Sequence, residues 1–497
     1  LTDLDPLLVD ALGADLRSAG YTTDGVAELL GADANAAMGR GVWWPALRST
    51  RTAENARLAT LIRLFLLGTD EPVDQVQAAF PSTRVAELVA AGVLEVTDTA
   101  RAALDIRPHS DGERDFFVVS DQDAALRGGP VDHEHVLGIG GASMSLARAV
   151  IRTPVQRALD LGTGCGIQAL HLNGHCADIV ATDTNPRALK LAQATAGING
   201  MSWDLRPGSL FDPVAGERFD LIVSNPPFVV GKGAQDYIYR DSGVAGDGLC
   251  RTIIEKVGNY LTPGGTAQIM ANWIVRGDDW QPRVQDWLAG TGLHAWVVQR
   301  ELADPVSYVS LWLADAGESA EQIAQRGADW LDWFDAEGIT GIGMGLISLR
   351  VPRPGEEPEQ ILEEITDEPI TGPRWRRSSP AGPTCGTPRT MSCWPRACRR
   401  HRCCWSSIRC PDRTAGRRSA ARSVAPAARV RSSGWTRCSP PCSPGAAARC
   451  PWARSSDCWP RTTASTPTPL PRRRCRRSGK RSAGESCTRP AEFSGNP

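Results

Sequence analysis

From about residue 115 onward, short apolar runs bounded by turn residues alternate with segments of helical spacing, and that alternation restricts the chain to few folds. RDFFVVS, VQRALDLG, DIVATD, FDLIVSN and TAQIMANW read as strands. SMSLARAVI, PRALKLAQATAG and GLCRTIIEKVGNYL read as helices between them. Strand and helix in repeated succession predict an α/β domain, a doubly wound and mostly parallel sheet with helices on both faces. Two later runs, LHAWVVQREL and GITGIGMGLISLRV, predict a closing antiparallel pair with a helix between them around IAQRGADWLDWFDAEG. The domain is expected over residues 115–355. Such sheets bind ligands at the carboxyl ends of their strands.

Residues 1–114 are expected to form a separate, mainly helical domain. Asp5-Pro6 supplies a cap and a first-turn proline before the apolar stripe of LLVDALGADL. DGVAELL, ARLATLIRLFLL and STRVAELVAAGVL, the last with Ser82 as its cap, give three more helical patterns. After Val93 come short alternating pieces, LEVTD and ALDIRP. Helices followed by a small hairpin resemble a winged-helix arrangement. The plainer reading, favoured here, is a helical cap packed on the next domain.

Charge separates the rest. Residues 1–373 hold 28 Lys and Arg against 52 Asp and Glu, a balance of −24, whereas residues 374–497 hold 27 against 4, a balance of +23. Twelve of the 15 cysteines lie in that last segment, where Met, Ile, Val, Leu, Phe and Tyr together number only six. Such a segment cannot bury a core. A basic nucleic-acid-binding tail and a metal module are two readings, but the cysteines follow no paired C-x-x-C spacing. The preferred reading is an out-of-frame translation of a GC-rich gene, whose codons yield Arg, Ser, Pro, Ala, Gly, Cys and Trp. Leu1 in place of an initiator Met fits a literal translation or a fragment. Residues 356–373 are taken as the linker to this tail. Cys165, Cys176 and Cys250 are the three cysteines before it and suggest a reducing interior. With no basic-then-apolar leader and no apolar run of about 18 residues, a cytoplasmic protein without a membrane partner is expected.

The first chemical signal is Asp160-Leu-Gly-Thr-Gly-Cys-Gly166, where a strand gives way to a helix. Gly162, Gly164 and Gly166 let the backbone turn tightly and admit a ligand close to the main chain. Asp183 ends the next strand, 21 residues after Gly162, where a carboxylate can accept both hydrogens of a ribose diol. A nicotinamide dinucleotide would want G-x-G-x-x-G. Here the third glycine comes one residue early, and Asp160 sets a carboxylate at the start of the loop. A carboxylate repels a pyrophosphate but suits a cation such as the ammonium or sulfonium of S-adenosylmethionine, so a methyl donor is favoured over a dinucleotide.

DLGTGCG, ATDTNPRAL, GSLFDP and FDLIVSNPPF, in that order, resemble class I methyltransferases of the "small" amino-directed group, over roughly residues 130–310. That group includes rRNA guanine-N2, adenine-N6 and release-factor glutamine-N5 enzymes. The resemblance implies a Rossmann-like sheet, S-adenosylmethionine as cofactor, Gly162 to Gly166 with Thr163 at its methionine end, and Asp183 on its ribose. Ser209, followed by Leu210, occupies a place where the family often has Asp facing the adenine amine.

Asn225-Pro226-Pro227-Phe228 follows the apolar run FDLIV. Two prolines cannot continue a central strand, because each lacks the backbone donor. An amide or nucleobase amine is a poor nucleophile, its lone pair delocalised into a carbonyl or ring. Two acceptors, the Asn225 side-chain oxygen and the Pro226 carbonyl, can take its two hydrogens and favour pyramidal nitrogen. The prolines stiffen the turn, and Phe228 can stack on the flat group that carries the amine. A strand end with a packed Phe is the bland alternative. After the glycine loop and Asp183 it loses ground.

The acceptor signals are divided. Phe after the prolines, and ANW after the fifth strand, look like the rRNA guanine-N2 enzymes; YRDSGVAGDGL and SLFDP look like the glutamine-N5 enzymes. The reading adopted is an RNA base amine, with a translation-protein glutamine as the alternative. A non-catalytic S-adenosylmethionine-binding regulator is a third hypothesis, and the intact amine-orienting turn argues against it. Asp132-His133-Glu134-His135, and His171 with His175, lack a third ligand at a metal spacing and read as surface or packing features. Tyr239, Arg240 and Asp241, among glycines 243, 246 and 248, read as a substrate-facing lid.

Overall fold

The structure, a computed structural model, describes residues 5–372 apart from 124–125, 127–130, 234–237, 240, 316–319 and 367–369. The tail of residues 374–497, read above as out of frame, lies outside the described residues.

The chain begins with α1 (Pro6–Ser18), α2 (Thr23–Leu30), α3 (Ala32–Met38), α4 (Trp44–Arg51) and α5 (Ala56–Leu61), which runs into a π-helical turn over Ile62–Leu66. Helices α6 (Val73–Ala79) and α7 (Val85–Ala90) follow. Asp5 caps α1 by accepting from the Leu7 N–H at 2.9 Å, and Thr22 caps α2 by accepting from Gly25 at 3.0 Å. Ser82 is not the cap expected for α7. Its N–H donates to the buried Asp15 carboxylate of α1, and Arg84 stands at the helix start with Glu87 accepting from its N–H. Leu16, Tyr21, Phe65, Phe80 and Leu88 fill this core.

Two hairpins come next, β1 (Leu94–Val96) with β2 (Ala100–Ala102), and β3 (Leu104–Ser110) with β4 (Asp115–Asp121). The β4 strand was expected to open the α/β domain at residue 115. It pairs antiparallel with β3 instead, so the expected boundary cuts a hairpin. Its other edge is satisfied by side chains of a helix and its cap, Thr195 on Val119 and Asn199 on Phe117, and among the described residues no strand adds there.

The remaining elements are α8 (Gly141–Ala149), β5 (Val155–Leu161), α9 (Ile167–Leu172), β6 (Cys176–Asp183), α10 (Pro186–Ile198), β7 (Asp204–Pro207), β8 (Phe219–Ser224) and α11 (Gly248–Val257). They continue with β9 (Leu261–Val275), α12 (Gln281–Leu288), β10 (His294–Ala303), α13 (Pro305–Asp315), α14 (Ala320–Ala336), β11 (Gly341–Arg350) and β12 (Gln360–Glu364). Eight strands form one sheet in the order β12-β10-β11-β9-β8-β5-β6-β7. From β9 to β7 every neighbour is parallel, while β11 runs antiparallel between β9 and β10, the closing pair the sequence predicts.

β12 corrects the linker expected over 356–373, since it pairs parallel with β10 and widens the sheet. Its acidic text hides a strand whose Glu363 and Glu364 accept from the indoles of Trp296 and Trp280. The strand order reverses between β5 and β8, which makes their carboxyl ends the switch point of the sheet. Among the described residues no helix is long and apolar enough to cross a membrane.

Candidate functional site

β5 and β8 end side by side, fastened by the Ser224 hydroxyl donating to the Leu161 carbonyl at 2.7 Å. The turn that follows each strand is one of the two motifs singled out in the sequence. In the glycine loop, Gly162 and Gly164 have φ of 76° and 57°. A Cβ at either would meet nothing within 4 Å, so the left-handed backbone, not crowding, requires glycine, and the space above the loop is open to a ligand. Gly166 shares the left-handed backbone, with φ 87°, and adds crowding, because a Cβ there would come within 2.6 Å of the Trp203 ring.

Asp160 is fully buried beneath this loop. Its Oδ2 accepts from the Thr163 hydroxyl at 2.7 Å and the Ala169 N–H at 3.0 Å, whereas Oδ1 has no partner. Burial pushes its pKa up to about 7, against the lowering effect of those two bonds, and the Asp183 charge adds to the rise. Asp183, half-buried at the end of β6, accepts from Gly164 N–H and from Asn185 N–H, both at 2.9 Å. Its pKa is also raised by burial and pulled back by these backbone donors. One carboxylate therefore lies under the loop and the other at its side.

The next loop hangs from β6 by the Gly208 N–H on the Asp183 carbonyl, 3.0 Å. Ser209 is exposed there, and Leu210 has φ 47°, the only positive φ outside glycine among the described residues. A leucine held in that conformation is strained, which marks a site fixed by its surroundings. Phe211, buried and stacked on Tyr260 at 4.3 Å, supplies the anchor.

After β8, Pro226 is buried while Asn225, Pro227 and Phe228 are half-buried. Asn225 Oδ1 is enclosed and has no partner. Two residues not singled out in the sequence, Tyr308 and Trp330, secure the chain just beyond. The Val230 N–H donates to the Tyr308 hydroxyl at 2.8 Å, and the Trp330 indole donates to the Val230 carbonyl at 3.1 Å. Asn272 of β9 also donates to the Tyr308 hydroxyl, at 3.0 Å, and Trp312 meets Phe228 edge to face with centroids 6.1 Å apart.

The histidines do not gather. His171 Nε2 lies 2.8 Å from His109 Nε2 in a buried pair, and burial lowers the pKa of His171 to about 3 and that of His175 to about 4. His135 packs its ring against Tyr239 at 5.8 Å, and the Ile238 N–H donates to the His133 carbonyl at 3.1 Å. Among the described residues no three His, Cys, Asp or Glu side chains form a group that could hold a metal ion. Arg240 of the expected lid lies outside the described residues.

The orphaned oxygens of Asp160 and Asn225 and the open space over Gly162 and Gly164 fit a cationic ligand in the loop and an amine at the turn. Residues 138–279 match the Methyltransferase small domain, and residues 18–104 match a Domain of unknown function (DUF7059). A release factor glutamine methyltransferase of Geobacter sulfurreducens is 37% identical over 130 residues, 24% of this chain and 46% of that protein. A ribosomal RNA small subunit methyltransferase C of Salmonella arizonae is 30% identical over 118 residues, 23% of this chain and 31% of that protein. The chain thus spans less than half the length of either relative. A 16S rRNA N2 methyltransferase of T. thermophilus, solved with AdoMet and guanosine, is 15% identical, covering 64% of this chain and 71% of that one at a TM-score of 0.31. Residues 138–279, under a third of the chain, are thus similar to the methyltransferase small domain.

Proposed function

We propose that the protein transfers a methyl group from S-adenosylmethionine to a planar amine, an exocyclic base amine in ribosomal or transfer RNA. The observation that carries this reading is the buried, unpartnered Oδ1 of Asn225 at the switch point of the sheet, beside a half-exposed Phe228. When bound, S-adenosylmethionine supplies an electrophilic methyl group on a cationic sulfur. Asp160 Oδ1 would take its ammonium, Gly162, Thr163, Gly164 and Gly166 would line its methionine end, and Asp183 would hold its ribose. Ser209 and Leu210 would border its adenine.

Asn225 Oδ1 and the Pro226 carbonyl accept the two hydrogens of the acceptor amine. That pair fixes the direction of the nitrogen lone pair and favours pyramidal geometry, while Pro226 and Pro227 keep both acceptors from drifting. The proton becomes acidic once the nitrogen is alkylated, so the site needs no strong base. A second acceptor, the side-chain amide of a translation-protein glutamine, presents the same two hydrogens. The Geobacter relative and the −24 balance of residues 1–373 favour it.

The test uses the purified full chain, radiolabelled S-adenosylmethionine and an extract of cells lacking the protein, with label counted separately in RNA and in protein. Label is expected in RNA, and Asn225→Ala should abolish it while leaving donor affinity largely intact. Transfer that survives Asn225→Ala sinks the role of the turn; label in protein alone moves the acceptor to glutamine.

A further inference from the structure

The helices α13 and α14 form a hairpin inserted between the antiparallel strands β10 and β11, and its aromatic residues converge on the Asn-Pro-Pro-Phe turn. We propose that this hairpin is the second wall of the acceptor site, and that Trp312 with Phe228 selects a flat aromatic ring, a nucleobase, as the carrier of the amine. The inference rests on the function proposed above and narrows its acceptor.

Two prolines stiffen the turn upstream, yet nothing in them fixes Phe228. The hairpin does so from downstream. Both backbone groups of Val230 are held by it, the N–H by the Tyr308 hydroxyl and the carbonyl by the Trp330 indole. Tyr308 is itself fully buried among Val230, Phe334 and Ile342 and takes a second bond from Asn272 of β9, so the clamp is anchored to the sheet.

Trp312 lies four residues beyond Tyr308, on the same face of α13. Its ring meets that of Phe228 at 69°, and both side chains are only half-buried. Two half-buried rings that meet edge to face at that angle form a corner beside the turn. A nucleobase fills such a corner because it has an extended π face for one wall and an in-plane amine for Asn225. A glutamine side chain has the amine but only a small amide plane, and a flexible stem.

The full chain is assayed at saturating S-adenosylmethionine against total RNA from cells lacking the protein, comparing wild type with Trp312→Phe and Trp312→Leu. Both variants fill the apolar gap, but only Phe keeps a ring face. We expect KM for RNA to rise about tenfold in Trp312→Leu and to stay within about threefold in Trp312→Phe, with kcat and donor affinity little changed in both. Equal KM in the two variants, with wild type still labelling RNA, overturns this inference and leaves the proposed function standing. Label confined to protein overturns the RNA acceptor and this inference with it.

Discussion

A carboxylate fully buried with one oxygen doubly bonded to donors and the other bare is poised between two charge states. Asp160 is in that position, and its pKa of about 7 follows from the burial. Without ligand the shift works against stability as pH rises from about 4 to about 7, because the folded chain still holds a proton that the unfolded chain, with a carboxyl near 3.8, has released. A cationic ligand reverses the preference, since an ammonium on Oδ1 favours the ionised form. Donor affinity should therefore tighten as pH rises through about 7, by up to tenfold per unit below that value, and level off above it. Titration calorimetry with S-adenosylmethionine about one unit either side reads the effect. Asp160→Asn, which keeps the shape but cannot ionise, should bind more weakly and with a flat pH profile. Equal affinity on both sides in the wild type would remove Asp160 from the ammonium role.

At the scale of elements, the hairpin α13–α14 sets what the turn can do. Tyr308→Phe removes one oxygen and leaves the Val230 N–H and the Asn272 amide without their shared acceptor, at a cost of roughly 1–3 kcal/mol for each buried group left unpaired. We expect a lower kcat with donor affinity unchanged, because the glycine loop is not touched. Single-turnover rates beside equilibrium donor binding separate the two, and an unchanged rate would show that the clamp is only structural. This element also shows where reading the sequence stops. The glycine loop, Asp183 and the double proline were legible because each imposes its backbone locally, through left-handed φ, a strand end or a missing donor. Tyr308 and Trp330 reach Val230 across 78 and 100 residues, and no local pattern encodes that. The start of α13 does carry a local signal, Asp304-Pro305 with Asp304 accepting from the Ser307 N–H. β12 was hidden because its acidic side chains look like linker until indole donors are placed beside them.

Across the whole described molecule, α10 joins the helical region to the sheet. The helix starts at Pro186, just after the Asp183 carboxylate, with Asn185 capping it, so whatever steadies α10 also steadies one edge of the proposed donor site. The helical region grips its far end. Arg17 donates to the Ile198 carbonyl at 3.1 Å, Val9 packs against Gly197, and Arg187 at the near end pairs with Asp121 of β4. Asn199 acts as a one-residue strand partner, accepting from the Phe117 N–H at 2.9 Å and donating to the Phe117 carbonyl at 2.7 Å. This junction is why a domain boundary drawn at residue 115 from the sequence misplaces β4. The change from short alternating pieces to strand-helix repeats marks where the pattern shifts, whereas the chain's hydrogen bonding continues through it. Asn199→Ala should therefore destabilise far more than its half-buried position at a helix end suggests. Each Phe117 group left unpaired costs roughly 1–3 kcal/mol, and because the loss falls between the helical region and the sheet, both should melt together at a lower temperature. Calorimetry of wild type and variant reads this directly. A loss within about 0.5 kcal/mol, the ordinary range of a surface change, or a sheet that melts as before while the helical region alone is weakened, would mean that the two regions are not coupled through α10.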